Sequence, residues 1–280
     1  NSFASRKVFQ KKIHALKKHP GQQSAARNVY KLLNGSKIVK SHSNCGIVQD
    51  PYSFRCIPHI HGASRDGFTR AANMIDNEIN SVSDNPIVLE NGDIVNSGHF
   101  HGEHVAQAMD FLAISFCELG AVSERRTHYF MKGVEGKFNL FVTKSPGVES
   151  GYMMAHVTAS ALVSENKTLA HPASVDSLPT SGGQEDLVSM APWAGQKLLQ
   201  IQHNLRHVLA VELLVAGAAN QIASPNLTPG KGTFPILNIL KSLCKYQNGD
   251  RTLSGEIESI AKKIKSGEFV YAITKNIILE

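Results

Sequence analysis

The feature that most restricts the fold of this chain is the spacing of its apolar residues, which recur every three or four positions over three long segments. That period places them on one stripe of an α-helix, whereas a half-buried strand would alternate apolar and polar residues. The clearest stripe consists of Val105, Met109, Leu112, Phe116 and Leu119. The period predicts long helices over residues 102–131, 152–169 and 192–222.

Two of these segments also indicate how the helices pack. In residues 152–169, Ala155 and Ala159 are small enough for a neighbouring helix to approach closely. A shared face of the same segment is formed by Met154, Val157 and Ala161. In residues 192–222, one side carries Leu198, Ile201, Leu205 and Val208. These helices are therefore expected to pack against one another in a bundle.

Shorter periodic segments and two polar loops lie between and before the long helices. Further helices are predicted over residues 5–19, 21–33 and 58–82. Pro, Gly, Ser, Asp and Asn gather in residues 82–100 and 170–186. Such composition is typical of loops, and functional residues tend to lie on loops held by a rigid scaffold.

The composition agrees with a single helical domain. With 280 residues, of which 42% are hydrophobic, the chain can bury a substantial core. It contains no repeat of about 20–50 residues and no low-complexity linker. We therefore predict an all-α fold, with a bundle of long helices in residues 1–222 and a helical extension of the same domain in residues 223–280.

The charge limits the possible binding partners, and the cysteine content indicates the cellular compartment. The formal net charge is +6, and lysines cluster at residues 11–18 and 262–265 without aromatic residues between them to stack on bases. Solvated helix faces are the better interpretation, so no nucleic acid partner is expected. No apolar run reaches the roughly 18 residues of a membrane helix, so no membrane partner is expected either. Four scattered cysteines, among them Cys45, are typical of a reducing compartment, which favours the cytoplasm.

Two histidine-rich stretches raise the question of a metal site. Residues 98–104, GHFHGEH, contain three histidines and a glutamate, while His59 and His61 flank a single isoleucine. Neither stretch has the matched pairs of ligands that mark a zinc site. We therefore predict no metal site.

Several short motifs occur together in one order along the chain. They are HALKKHPGQ at residues 14–22, QDPYSFR at 49–55, SVSDNPIV at 81–88, SGHFHGE at 97–103, VSERR at 122–126 and SENKTLAHPASVDSLPTSGGQEDLVSM at 164–190. This ordered set resembles the aromatic amino acid ammonia-lyases. Pro51 and the sequence Gln184-Glu185-Asp186 favour the histidine branch of that family.

The resemblance implies an activity and an assembly. The implied reaction is the non-oxidative elimination of ammonia from L-histidine to give urocanate, which is the work of a carbon–nitrogen lyase. The implied assembly is a homotetramer in which each active site draws residues from several chains. The implied fold is the same long-helix bundle that the apolar period predicts.

The resemblance also assigns roles to five residues. Arg55 would bind the substrate carboxylate, because a planar guanidinium can hold it with two parallel hydrogen bonds. Tyr52 would help to polarise the electrophile and organise proton transfer. Glu185 would act beside the imidazole of the substrate, where a carboxylate can accept the ring N–H. Gln49 would line the substrate pocket, and Phe100 would form its apolar wall.

Each assignment has a plainer structural alternative. Arg55 could be a surface arginine, and Tyr52 could be an ordinary half-buried aromatic residue. Glu185 and Asp186 could open a helix, since a helix N-terminus favours negative charge. A helix start at these residues is compatible with a substrate role for Glu185, in which case Asp186 would be the residue that caps the helix.

The expected electrophile of the family is missing from this sequence. It is a methylidene-imidazolone group formed from an Ala-Ser-Gly backbone segment, and no Ala-Ser-Gly occurs in the 280 residues. We expect the chain to be the C-terminal portion of a longer protein, inactive without the remaining N-terminal portion. Two alternatives stay open: a non-catalytic helical scaffold or regulatory homologue, and a related lyase or aminomutase that acts on another aromatic amino acid.

Overall fold

Long helices form the centre of the molecule, as the apolar period predicts. The computed structural model describes residues 5–41, 48–133, 138–244, 246 and 249–280. In chain order the helices are α1 (Lys11–His14), α2 (Pro20–Leu32), α3 (Lys37–Ser41), α4 (Tyr52–Arg55), α5 (Ile57–Ile79), α6 (Glu103–Met131), α7 (Met153–Leu169), α8 (Ala191–Ala223), α9 (Phe234–Leu243), α10 (Ser254–Lys265) and α11 (Glu268–Thr274). Two short strands, β1 (Ile87–Val88) and β2 (Ile94–Val95), pair antiparallel within the first predicted loop. The all-α prediction is confirmed, with this hairpin as a small addition.

Helix α6 is the central element of the bundle. It packs against α5, α7 and α8, while α2 covers α5 and α10 covers α8. The three long helices and those predicted over residues 21–33 and 58–82 are confirmed with ends that differ by at most three residues. The extension after α8 contributes Leu240 and Ile260 to the same buried cluster as Val211 and Leu214 of α8. The boundary predicted at residue 222 stays a prediction.

Small residues, rather than the large apolar stripe, form the buried face of α6. Ala106 and Ala113 are fully buried, whereas Leu112 and Phe116 are only half-buried. On α7 the same holds, because Ala155 and Ala159 are buried while Met154 is 60% exposed. Helices that cross at alanine and glycine approach closely and leave longer side chains at the margins of the contact. On α8 the predicted side is confirmed, with its central residues Ile201, Leu205 and Val208 buried.

The prediction of one helix over residues 5–19 is wrong. Lys7–Phe9 form a single 3-10 turn and α1 follows it, because Gln10 between them has an extended backbone with φ −64° and ψ 138°. This break lets Phe9 enter a buried cluster with Leu33 and Ile57. A continuous helix would not bring Phe9 to that position.

Helix α6 is long and apolar enough to cross a membrane by length and composition alone, with a mean hydropathy of 1.4 over its best window. It nevertheless carries the buried polar residues Asp110, Glu124 and Arg126. It also has neighbouring helices on three sides. Core helices of bundles pass the same test of length and composition.

The cysteines that the structure describes are unpaired. Cys56, Cys117 and Cys244 are free thiols, and burial raises the pKa of Cys244 to about 11. Cys45 lies outside the described residues. The thiols of the described part of the chain therefore take no part in disulfide bonding.

The crossing of α2 and α5 depends on two glycines, and this gives a first prediction. A Cβ on Gly62 would lie 2.4 Å from the Cα of Gln22, and one on Gly21 would lie 2.3 Å from the carbonyl oxygen of Gly62. Gly62→Ala is expected to lower the free energy of unfolding by about 1–3 kcal/mol, because both backbones must move apart. Urea unfolding of the 280-residue chain measures the effect.

A matched control is available in α8. A Cβ on Gly195 would meet no atom within 4 Å, so Gly195→Ala is expected to raise the free energy of unfolding by about 0.5–1 kcal/mol through its better helix propensity. Changes of the same sign in the two variants would contradict the close crossing of α2 and α5.

Candidate active site

Tyr52 and Arg55 project from the same side of α4, a helix of one turn that begins after Pro51. Tyr52 is 68% exposed, while Phe54 on the opposite side is 2% exposed. The guanidinium carbon of Arg55 lies 4.5 Å from the centre of the Tyr52 ring. Gln49, just before this helix, is also exposed. We call residues 49–55 the α4 turn; it presents all three predicted side chains at the surface of the chain.

Arg55 is oriented by its own turn. Its Nε donates a hydrogen bond to the carbonyl oxygen of Asp50 at 2.9 Å. This contact uses the side edge of the guanidinium and leaves Nη1 and Nη2 as a parallel pair of donors. Such a pair can hold a carboxylate end-on, with two charge-assisted hydrogen bonds.

The inner side of the α4 turn is fixed to α6. The ring of Phe54 meets those of Tyr129 and Phe130 edge-on, with centroid distances of 5.0 and 6.5 Å. Arg126 adds a hydrogen bond from Nη1 to the carbonyl oxygen of Ser53 at 3.4 Å. The buried residues of the turn therefore determine where Tyr52 and Arg55 lie.

Arg126 belongs to a buried ion pair that sequence reasoning did not identify. Its Nη2 donates to Oε2 of Glu212 on α8 at 2.8 Å, and the Ser123 hydroxyl donates to the same oxygen at 2.6 Å. Although burial acts to raise the pKa of Glu212, the adjacent Arg126 guanidinium lowers it below its usual range. The pair joins α6 to α8 directly beneath the α4 turn. The motif VSERR contains this arginine, but the sequence does not distinguish it from its exposed neighbour Arg125.

His61 lies beside this ion pair, and its titration gives a second prediction. Its Nε2 is 3.4 Å from Nη1 of Arg126 and accepts a hydrogen bond in the neutral state. Burial, with a smaller contribution from Arg126, lowers the pKa of His61 to about 4. The unfolded chain binds a proton at this residue below about pH 6.5, while the folded chain does not. The free energy of unfolding should therefore fall as the pH decreases from about 6.5 to 4, by up to about 1.4 kcal/mol per pH unit.

Urea midpoints measured across this pH range test the titration of His61. His61→Gln should remove this contribution and flatten the pH dependence of stability. His104→Gln, which changes an exposed histidine at the start of α6, is the control for the loss of a histidine side chain at the surface. Identical profiles for the wild type and His61→Gln would contradict the assignment.

Glu185 lies on a closed loop, residues 177–188, which we call the Glu185 loop. The hydroxyl of Ser177 accepts from the amide of Val188 at 2.8 Å and donates to its carbonyl oxygen at 3.1 Å, which closes the base of the loop. Near the tip, Thr180 and Glu185 pair through their backbones. Thr180 also donates its hydroxyl to the Glu185 carboxylate. The hydroxyls of Thr180 and Ser181 lower the pKa of Glu185, which keeps this exposed carboxylate charged.

The prediction that Glu185 and Asp186 open a helix is wrong. Helix α8 begins at Ala191, and both acids precede it in non-helical backbone. Positive φ angles of 66° at Gly182 and 91° at Gly183 turn the chain back on itself before them. The carboxylate of Glu185 is therefore held by hydroxyl groups rather than by a helix N-terminus.

Phe100 lies on a turn that contacts the Glu185 loop. The turn precedes α6, and Phe100 is 59% exposed. The adjacent His101 places its Nε2 3.0 Å from the carbonyl oxygen of Leu187. A Cβ on Gly102 would lie 3.2 Å from the hydroxyl of Ser189, which shows how closely the two segments approach.

The start of the second predicted loop is fixed by another buried ion pair. Lys197 of α8 and Asp110 of α6 are 5% and 3% exposed, with Nζ and Oδ1 3.6 Å apart. Lys197 also donates to the carbonyl oxygen of His171, and Asp110 accepts from the amide of Ser174 at 2.8 Å. Residues 171–174 are thus tied to both central helices before the chain enters the Glu185 loop.

The five predicted residues form two groups. Gln49, Tyr52 and Arg55 share the α4 turn, whereas Phe100 and Glu185 lie on two segments that touch one another. Across the described part of the chain, no hydrogen bond or ion pair joins the first group to the second. Arg55 is half-exposed and the other four residues are exposed. These side chains do not enclose a pocket by themselves, so their catalytic and binding roles stay predictions.

The histidine-rich stretches are engaged in other contacts. His99 shares a hydrogen bond with the hydroxyl of Ser97, His101 contacts Leu187, and Glu103 accepts from Gln107. Among the residues that the structure describes, no cluster of three or more His, Cys, Asp or Glu side chains is arranged to hold a metal ion. A methylidene-imidazolone group cannot form from these 280 residues, because the sequence contains no Ala-Ser-Gly.

Comparison with known proteins agrees with the motif order. A family model described as aromatic amino acid lyase matches residues 2–242. The histidine ammonia-lyase of Gloeobacter violaceus is 44% identical over 274 residues, which are 97% of this chain and 53% of that protein. The chain spans about half the length of the curated relatives it matches.

Solved structures share the same helical architecture. The crystal structure of histidine ammonia-lyase from Trypanosoma cruzi superposes with a TM-score of 0.89 and 33% identity, covering 99% of this chain and 52% of that one. Tyrosine aminomutase from Streptomyces globisporus superposes with a TM-score of 0.91 and 30% identity, covering 100% of this chain and 57% of that one. The predicted resemblance is confirmed. The chain belongs to the aromatic amino acid lyase family.

Proposed function

We propose that this chain is the C-terminal portion of a histidine ammonia-lyase and that the complete protein converts L-histidine into urocanate and ammonia. In this reaction the bond between the α-carbon and the amine breaks, a proton leaves the β-carbon, and a carbon–carbon double bond forms. The observation that carries the proposal is that two separate loops each present one feature suited to L-histidine. Arg55 uses Nε within its own turn and makes no hydrogen bond through Nη1 or Nη2 to any residue that the structure describes, so both can donate to a carboxylate, and Glu185 is a charged acceptor for an imidazole N–H.

The residues of this chain would bind and orient the substrate. Nη1 and Nη2 of Arg55 would hold its carboxylate, which fixes the reacting carbons relative to Tyr52. The Tyr52 ring, whose centre lies 4.5 Å from the guanidinium carbon of Arg55, carries a hydroxyl that could exchange hydrogen bonds with the reacting groups. Phe100 would supply an apolar wall beside the imidazole, with Glu185 accepting the ring N–H. Gln49 would add a polar contact at the entrance to the α4 turn.

The electrophile would come from outside this sequence. In the family, a methylidene-imidazolone group turns the amine into a leaving group. With no Ala-Ser-Gly in the 280 residues, the proposal requires an N-terminal portion that supplies this group. The exposure of the predicted residues supports the need for further protein around them. We extend the proposal to a homotetramer in the cytoplasm, with no activity from these 280 residues alone.

The transcript upstream of Asn1 and the substrate range of its product test the proposal. An in-frame Ala-Ser-Gly is expected upstream, and the longer protein should form urocanate from L-histidine. An upstream sequence without that segment would favour a non-catalytic scaffold or regulatory homologue.

An aminomutase is the second candidate, because the tyrosine aminomutase of Streptomyces globisporus has nearly the same arrangement of helices. Incubation of the longer protein with L-tyrosine or L-phenylalanine distinguishes the two. Turnover of these amino acids without turnover of L-histidine would favour the aminomutase or a lyase for another substrate.

A further inference from the structure

We propose that His101 is a positioning residue that fixes the distance between the Phe100 turn and the Glu185 loop. The proposal rests on the proposed function, since Phe100 and Glu185 are the two residues expected to contact the substrate imidazole. Among the described residues, no hydrogen bond joins the His101 side chain to Phe100 or Glu185, and His101 is not expected to touch the substrate. Its contribution lies in a single hydrogen bond between segments 86 positions apart in sequence.

The acceptor of that bond is rigidly connected to Glu185. His101 Nε2 lies 3.0 Å from the carbonyl oxygen of Leu187, two residues after Glu185. The next residue, Val188, is bound through both its amide and its carbonyl to Ser177. Thr180 pairs with Glu185 on the other side. A contact with Leu187 therefore restrains the whole Glu185 loop.

His101, which donates this hydrogen bond, is held close to Phe100. His101 follows Phe100 directly, and its amide donates to the carbonyl oxygen of Gly98 at 2.9 Å, which forms the turn. Gly102 then approaches Ser189 and Ala191, where a Cβ would lie 3.2 and 3.4 Å from their side chains. The close approach of Gly102 brings the Phe100 turn and the Glu185 loop together, and the His101 hydrogen bond fixes their relative position.

The chemistry of the bond determines which substitutions are informative. A carbonyl oxygen only accepts, so Nε2 of His101 must carry the proton in this contact. The side-chain nitrogen of glutamine is the same number of bonds from Cα as Nε2 of histidine and is also a donor. Leucine fills similar space but cannot donate. His101→Gln should therefore retain the contact, whereas His101→Leu should lose it.

Hydrogen exchange of the Glu185 loop tests the contact without reference to activity. In the 280-residue chain, amides of residues 178–188 should exchange about threefold to tenfold faster in His101→Leu than in the wild type, because one hydrogen bond of ordinary strength is lost. His101→Gln should match the wild type. His104→Leu, which changes an exposed histidine of the same motif, is the control and should also match. Equal exchange in His101→Leu and wild type would overturn the proposal.

Kinetics of the longer protein test the consequence for catalysis. His101→Leu should lower kcat/KM for L-histidine about tenfold to a hundredfold, since small displacements of positioning groups have effects of that order. His101→Gln should recover most of the loss, and His104→Leu should show none. A glutamine variant as impaired as the leucine variant would overturn the role of the hydrogen bond. If the wild-type longer protein forms no urocanate, the proposed function fails, and hydrogen exchange still decides the role of His101.

Discussion

Replacing Arg126 with methionine is expected to lower the free energy of unfolding by about 3–5 kcal/mol, because it removes one partner of a largely buried ion pair. Arg126 is 5% exposed and shares two hydrogen bonds with Glu212. Its removal leaves the Glu212 carboxylate without the guanidinium that keeps it charged, while the apolar stem of methionine retains most of the packing. Urea unfolding of the 280-residue chain measures the loss.

The adjacent arginine provides a matched control. Arg125 pairs with the buried Glu124, but the Arg125 side chain is 61% exposed and Glu124 keeps its hydrogen bonds with His156 and Ser160, so Arg125→Met should lower the free energy of unfolding by only about 1 kcal/mol or less. A double variant, Arg126→Met with Glu212→Leu, should recover part of the loss because no charge then remains unpaired. Equal losses in the two single variants would contradict the buried ion pair.

Replacing Glu185 with glutamine in the longer protein is expected to lower kcat/KM for L-histidine by about 100-fold or more, the scale of a lost acid–base or charged contact in an active site. Glutamine keeps the size of the side chain but cannot carry the negative charge that favours an imidazole N–H. Because Glu185 is exposed in this chain, the substitution should leave the unfolding midpoint of the 280-residue chain nearly unchanged. Steady-state urocanate formation measures the effect.

Asp186 is the matched control for Glu185. It is the next acid along the chain and is also exposed, but it has no assigned role toward the substrate. Asp186→Asn should reduce kcat/KM by less than about threefold, in line with a surface position. A loss as large as that of Glu185→Gln would indicate that the net charge of the loop, rather than the carboxylate of Glu185, determines activity.

The helices were predictable because their signal is local. An apolar period sustained over 17 or more residues, as in α6, α7 and α8, has few other structural solutions. Which face is buried was less predictable, since it depends on where neighbouring helices cross. On α6, Ala106 and Ala113 are fully buried, whereas Leu112 is only half-buried although it is more hydrophobic.

The interruptions of the predicted helices and the contacts within the candidate site depend on tertiary structure. Residues 5–19 carry helical periodicity, yet Gln10 is extended and Phe9 beside it packs into a buried cluster with residues distant in sequence. Glu185 and Asp186 have the composition of a helix start, but two glycines with positive φ and the Thr180 contact form a closed loop instead. Arg126 and Arg125 look alike in sequence, and they are distinguished by tertiary contacts of Arg126 with Glu212, Ser53 and His61, which are 65 to 86 residues away. The resemblance selected the candidate site residues, whose roles stay predictions, and only the fold shows that they lie in two separate groups.

The formation of urocanate from L-histidine tests the central claim most directly. The absorbance of urocanate should be followed with the 280-residue chain alone and with the same chain extended by the natural sequence encoded upstream of Asn1. We expect no urocanate from the 280 residues alone and sustained formation from the extended protein. Formation by the 280 residues alone would contradict the need for an upstream electrophile, and a folded extended protein that forms none would contradict the assignment as a histidine ammonia-lyase.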